Sequence, residues 1–261
     1  MNKTVRMFRA AAAALGFVAT SIVSGPVTAG VVDPTALVAG TTQLALSEQW
    51  WQWALGLPGP SNPITDPTGE RANLNNDGPV FFLAGNTGGS LTRTFNAPIG
   101  KPIFFPVVNG FDLEIKGDPN CNLSCAFGFL ASLGIDGATG LHATLDGVDL
   151  LTFPSYRQTS TAFFTVHWPN PEPFAFGLPP GDYDVVSDGY WVALDGLTEG
   201  PHTLVFGGAT SAGFSLEVTD NISAVPEPET FGLVLLGVLA AFGSRHRARN
   251  VATAATGSGT K

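Results

Sequence analysis

Near the end of the chain, polar and apolar side chains alternate, with Phe214, Leu216 and Val218 set against Ser215, Glu217 and Thr219. A period of two predicts a strand with one buried face and one wet face. Short apolar runs between Gly, Pro, Asn and Asp predict further strands at 80–84, 91–96, 102–108, 141–145, 148–153, 161–167, 183–187, 190–194 and 203–207. Asp146-Gly147 and Asp188-Gly189 each carry the signal of a two-residue hairpin turn. Ahead of the strands, Leu44, Leu46, Trp50, Trp51, Trp53 and Leu55 predict a helix with a broad apolar face, capped by Thr41 or Thr42. The prolines at 58, 60 and 63 end it. About ten short strands and one N-terminal helix predict a mainly β fold, an antiparallel β-sandwich of jelly-roll-like or immunoglobulin-like type. No repeat of fixed period is visible, which argues against propellers and solenoids.

The two ends read differently. Lys3, Arg6 and Arg9 precede a largely apolar stretch at 10–23, and Val27-Thr28-Ala29 places small residues where a signal peptidase cuts. This is the layout of a secretory signal peptide over 1–29, helical in its apolar part. At the other end, 231–243 is apolar and is followed by Arg245, Arg247 and Arg249. That run predicts a hydrophobic helix which must borrow from its flanks to cross a bilayer, with the arginines on the cytoplasmic side. The chain therefore divides into a signal peptide (1–29), an extracytoplasmic domain (30–224), a sorting or anchor segment (225–250) and a small-residue, disordered tail (251–261).

Val225-Pro226-Glu227-Pro228, the Gly-interrupted apolar run and the terminal arginines together resemble the PEP-CTERM sorting tail of Gram-negative bacteria. The resemblance implies export through the secretion machinery, recognition by an exosortase-type membrane transpeptidase, a transient stay at the inner membrane and delivery to the cell surface or extracellular matrix. The exported body is similar to an uncharacterised group of secreted bacterial proteins. The phrases that match are Trp50-Trp-Gln-Trp53, the stretches 78–85 and 100–109, Ser187-Asp-Gly-Tyr-Trp191 and 200–207. That resemblance implies a common fold and export, and brings no activity with it.

Composition changes this picture in two places. Between Gly30 and Ala224 five basic residues face 19 acidic ones, a net charge of −14. Such a domain has no footprint for phosphate backbones, so nucleic acid is excluded as a partner, while divalent cations are admitted. Cys121 and Cys125 are the two cysteines, and in an exported chain they are expected to form a disulfide that fixes local shape more than global stability.

Candidate chemistry is sparse. Asn73, Asn75 and Asp77 with Gly78 place side-chain oxygens as the first half of a calcium loop does, but the twelfth position, where a bidentate Glu belongs, is Ala84. Asp182 and Asp184 share a face if a strand begins there, and calcium would relieve their repulsion. Tyr190 and Trp191 follow a turn and could stack on a sugar. The tryptophans of the helix are expected to plug one end of the sandwich as core. Asp112, Glu114, Glu172 and Asp188 are possible members of a glycosidase pair, although nothing fixes which. His142, His167 and His202 fall in no metal or triad pattern and are expected to be structural, and Arg93, Lys101 and Arg157 are expected to pair with carboxylates. No catalytic residue emerges. The expectation is a non-catalytic surface or matrix protein that binds or organises exopolysaccharide, with a secreted polysaccharide hydrolase and a ligand-free structural protein as the alternatives.

Overall fold

The computed structural model describes residues 29–117 and 119–227. The expected signal peptide before Ala29, and the sorting tail from Pro228 on with Arg245, Arg247 and Arg249, lie outside the described residues. No described helix is long and apolar enough to cross a membrane.

Helix α1 (Gln43–Leu55) starts where the sequence predicts: Thr42 is its N-cap, and the Thr42 hydroxyl accepts from the Ala45 N–H at 3.2 Å. Ten strands follow: β1 (Phe81–Phe82), β2 (Gly89–Pro98), β3 (Ile103–Ile115), β4 (Thr139–Leu145), β5 (Val148–Asp149), β6 (Arg157–Thr159), β7 (Phe164–Trp168), β8 (Gly181–Leu194), β9 (Gly200–Ala209) and β10 (Ser215–Val225). Helix α2 (Leu123–Ser132) lies between β3 and β4; the Asn122 side chain caps it by accepting from the Cys125 N–H. The strands form two five-stranded sheets. One runs β1-β3-β8-β6 with β7 also on β8, and the other runs β2-β10-β9-β4-β5.

The expectation of a wholly antiparallel fold is corrected, because β1 runs parallel to β3 and β2 runs parallel to β10 in unbroken register from Gly89 to Pro98. Strands so far apart in sequence leave no local turn signal. Asp146-Gly147 does form the β4–β5 turn, with positive φ at both residues (53° and 81°), as a twist-matched two-residue hairpin requires. Asp188-Gly189 does not turn: it lies inside the continuous strand β8, where Gly189 faces Asn109 of β3. A Cβ at Gly189 would come within 2.6 Å of the Asn109 Cβ, so this glycine serves close strand approach rather than a bend.

The β3–β8 pair is buried on both faces. Inward, Phe105, Val107 and Val192 meet Phe206, Leu216 and Val218 of the second sheet, with the Phe105 and Phe206 rings 4.9 Å apart. Outward, Phe104, Val185 and Trp191 meet Leu46, Trp50 and Trp51 of α1. The helix thus covers the outer face of a sheet rather than plugging the sandwich end, and the domain has three layers. Trp50 donates its ring N–H to the Leu83 carbonyl at 2.8 Å. Each fully buried tryptophan contributes about 4–6 kcal/mol of gross hydrophobic stabilisation.

One charged pair sits inside. Arg93 on β2 and Asp220 on β10 face the core side of their strands, with Nε to Oδ1 at 3.0 Å and side-chain exposures of 3% and 0%. The remaining guanidinium donors reach the carbonyls of Pro63, Ala84 and Gly85. Arg93 therefore ties the parallel β2–β10 pair to the segment that leads out of β1. Burial pushes the Asp220 carboxyl up to about 6 even with Arg93 opposing the shift, a measure of how dry the site is. Removing one partner of a buried pair strands the other. Arg93→Met and Asp220→Leu are each expected to lower unfolding free energy by about 3–5 kcal/mol. The double variant is expected to lose no more than Arg93→Met alone, as read from denaturant unfolding at pH 7.

Candidate functional site

The residues singled out in the sequence are dispersed, and most are engaged in holding the fold. In the 73–78 loop the buried amide belongs to Asn76, which bonds the Phe82 N–H and the carbonyls of Ala72 and Phe82. Asn73 donates to the Asn96 carbonyl, while Asn75 and Asp77 are exposed, Asn75 with φ of 49°. Asp182 bonds the His167 ring at 3.0 Å, which holds its carboxyl below the usual range, and Asp184 accepts from the Gly117 N–H at 3.0 Å. Cys121 and Cys125 form the expected disulfide. Among the described residues, Glu114 with these two cysteines is a close group of ligand types, but the thiols are consumed by the disulfide.

The proposed sugar platform is corrected. Trp191 is fully buried, stacked on Phe104 at 5.3 Å with 6° between the planes, and Tyr190 packs half-buried against the inter-sheet core. Trp191 therefore offers no open ring face. Glu172 accepts from the N–H groups of Phe176, Gly177 and Leu178 and so closes a loop. Asp188 takes Arg157 and the Thr159 hydroxyl, and Arg157 also meets Asp136. His202 lies between Asp146 Oδ2 at 2.7 Å and the Thr198 carbonyl at 2.9 Å, a structural clamp on the β4–β5 turn. Lys101 donates to the Asn76 carbonyl rather than to a carboxylate.

What the sequence did not reveal is a cleft of about 620 Å³, within the range of small-molecule sites. It opens along an unpaired strand edge. β1 pairs only with Ile103 and Phe104, so beyond them β3 has β8 on one side and, among the described residues, no strand on the other. Pro106, which has no N–H to give a ladder, sits where the pairing stops. All five residues from Asn109 to Leu113 line the cleft. Side chains of successive strand residues point to opposite faces, so the cleft meets the strand edge-on.

Its walls come from both sides of that edge. On the helix side are Trp50, Trp51, Phe111, Phe174 and Phe176; on the other are Phe129, Leu133, Ile135 and Phe214. Trp51 packs on Phe111 with centroids 4.6 Å apart, and Phe176 stacks on Trp168 at 5.8 Å. The second wall is locked at Gly134, where the Ser211 N–H donates to the Gly134 carbonyl at 3.1 Å. Gly134 has φ of 70°, and a Cβ there would fall 2.6 Å from the Ala212 nitrogen, so only glycine permits this approach. Phe129 and Phe176 are 49% and 57% exposed at the rim.

Four polar atoms in this apolar lining are buried without a protein partner: Trp51 Nε1, Asn109 Nδ2, Asp112 Oδ2 and Thr210 Oγ1. They are half of the eight such atoms among the described residues, so unmet hydrogen bonding is concentrated here. Asp112 is raised by desolvation above the ordinary carboxyl value, opposed by its bonds with the Leu113 N–H and the Glu114 side chain.

No family model matches the chain, and no curated protein matches it. Among solved structures, the solution structure of amebosin is similar over 51% of this chain and 96% of its own, at 12% identity and a TM-score of 0.12. A likeness of that size carries no argument about fold or function.

The burial of Asp112 has a consequence for stability. Its folded-state pKa lies above the unfolded one, so its protonated form favours folding, and that contribution is lost as the pH rises through the folded value. Asp112→Asn is expected to gain stability relative to the parent between about pH 4 and neutrality, and to gain nothing below. Thermal unfolding of both proteins across that range checks it; a gap that does not grow with pH refutes it.

Proposed function

We propose that this chain is an exported, exosortase-sorted surface or matrix protein, and that its β domain is a non-catalytic binding module for an amphiphilic ligand. The observation that carries the binding half is the cleft, whose aromatic walls hold four buried polar atoms with unmet hydrogen bonds. An apolar pocket with a few convergent polar groups is the form of a ligand site.

Export is supported by the sequence of the two ends. The route of the chain agrees with a tether. Gly30 enters beside Asp195, with its N–H on the Asp195 carboxylate at 2.6 Å and Val31 bridging Leu194. Val225 leaves beside Ile99. Both points lie at one pole of the sheets. The cleft takes Thr210, Ala212 and Phe214 from the β9–β10 turn at the other pole. Ten residue steps along β10 separate the poles, about 33 Å. A domain held by its C-terminal segment would present the cleft away from the membrane.

Two other expectations fit the cleft less well. A glycosidase needs two carboxylates across its cleft, and the lining supplies Asp112 alone. An exopolysaccharide chain needs many hydroxyl and amide partners, whereas five of the twenty lining residues are polar. Both points favour an amphiphile.

The test is titration of the full-length chain with N-phenyl-1-naphthylamine, an uncharged apolar fluorophore. Saturable enhancement is expected. Phe129→Ala should weaken it by about tenfold, a loss of about 1.4 kcal/mol, with little change in unfolding midpoint because the ring is half exposed. Enhancement that does not saturate, or that is untouched when Phe129→Ala and Phe176→Ala are combined, removes the cleft as a binding site.

A further inference from the structure

We infer that the cleft selects amphiphiles with a cationic head over anionic ones, and that the Asp112 carboxylate is the counter-ion. The inference rests on the reading of the cleft as a ligand site and adds the charge of the ligand. Asp112 lines the cleft and is 9% exposed, and its Oδ2 is buried with no protein partner. It is the one carboxylate among the lining residues. No lysine, arginine or histidine is among the lining residues.

The five cations of the domain are placed elsewhere. Arg93 is buried against Asp220, and Arg157 is held by Asp136 and Asp188. Lys101 lies on the Asn76 carbonyl and Lys116 on the Thr165 hydroxyl. Arg71 is outside the lining. An anionic head group entering the cleft would therefore meet a carboxylate in an apolar enclosure with nothing to compensate it, and repulsion there is barely screened. An ammonium would meet the Asp112 carboxylate on the α2 side of β3, in a lining that holds no other charge. The unmet donors Trp51 Nε1 and Asn109 Nδ2 call for an acceptor on the same ligand.

The experiment uses the full-length chain and three ligands of one chain length, dodecylamine, dodecan-1-ol and dodecanoate, each below its micellar concentration at pH 7.5 and 150 mM salt. Displacement of N-phenyl-1-naphthylamine is the readout. Dodecylamine is expected to displace at a concentration at least tenfold below that of dodecan-1-ol, and dodecanoate is expected to be the weakest. Asp112→Asn should bring amine and alcohol together, and a cooperative thermal transition like the parent's below about pH 4 shows that the variant is folded. If dodecanoate binds as tightly as the amine, or if the preference survives in Asp112→Asn, the counter-ion role is overturned and the cleft stands as a site. If neither the fluorophore nor any of the three ligands binds saturably, the cleft reading itself falls and the inference falls with it.

Discussion

The pairing of β3 with β8 is the constraint on which the rest of the molecule depends. They pair as a ribbon from Ile103 opposite Leu194 to Ile115 opposite Tyr183, and over Ile103–Val108 and Tyr190–Leu194 they carry large apolar residues on both faces. Neither face can be left wet. One is closed by the second sheet through Phe206, Leu216 and Val218, and the other by the tryptophans of α1. The three-layer order follows from this ribbon, because a lone helix face and a lone sheet face each need a partner and the ribbon offers both.

The cleft is where that logic stops. A two-residue β1 protects only the first part of the β3 edge, and the chain then turns away through Gly85, Asn86 and Thr87 to begin the other sheet. The gap is walled by segments from seven separate parts of the sequence, and two of them are held by devices with no other evident use: the Glu172 clamp under Phe176 and the Gly134–Ser211 contact beside Leu133. A fold selected for stability alone would fill such a gap with side chains and would not bury four polar groups without partners in it. Local departures of this kind from packing and polar satisfaction gather at functional sites.

Much of the fold was legible in the sequence. The Thr42 cap, the apolar face with Trp50 and Trp51, the Asp146-Gly147 turn and the alternation of β10 are local patterns, and local patterns survive folding. The parallel pairs β1–β3 and β2–β10 were not legible, because they join strands whose connection carries no turn chemistry. Helix α2 was hidden by the two glycines and cysteines around it. Asp188-Gly189 misled because a glycine that permits close strand approach looks the same as one that permits a turn. The cleft was invisible as a whole, since no stretch of sequence contains it. The apolar run 103–108 leads into Asn109-Gly110, which reads as a turn, whereas β3 continues through it to Ile115. The Tyr190-Trp191 pair looked exposed only because a turn was placed before it; within an uninterrupted β8, flanked by Val185 and Val186 on one side and Val192 to Leu194 on the other, Trp191 belongs to the core.

The charge balance acquires a structural meaning in this frame. All but one of the five cations have carbonyl, hydroxyl or carboxylate partners that fix the fold, while carboxylates such as Asp33, Glu70, Asp77 and Asp195 are exposed. At physiological salt the field of each exposed carboxylate fades over about 8 Å. Those at the pole where the chain enters and leaves, such as Asp33 and Asp195, are therefore screened from the cleft. What a ligand meets inside it is set by Asp112, within low-dielectric walls where screening is weak. The acidity of the whole domain can raise the local concentration of a cationic ligand, but discrimination between head groups depends on this one buried site.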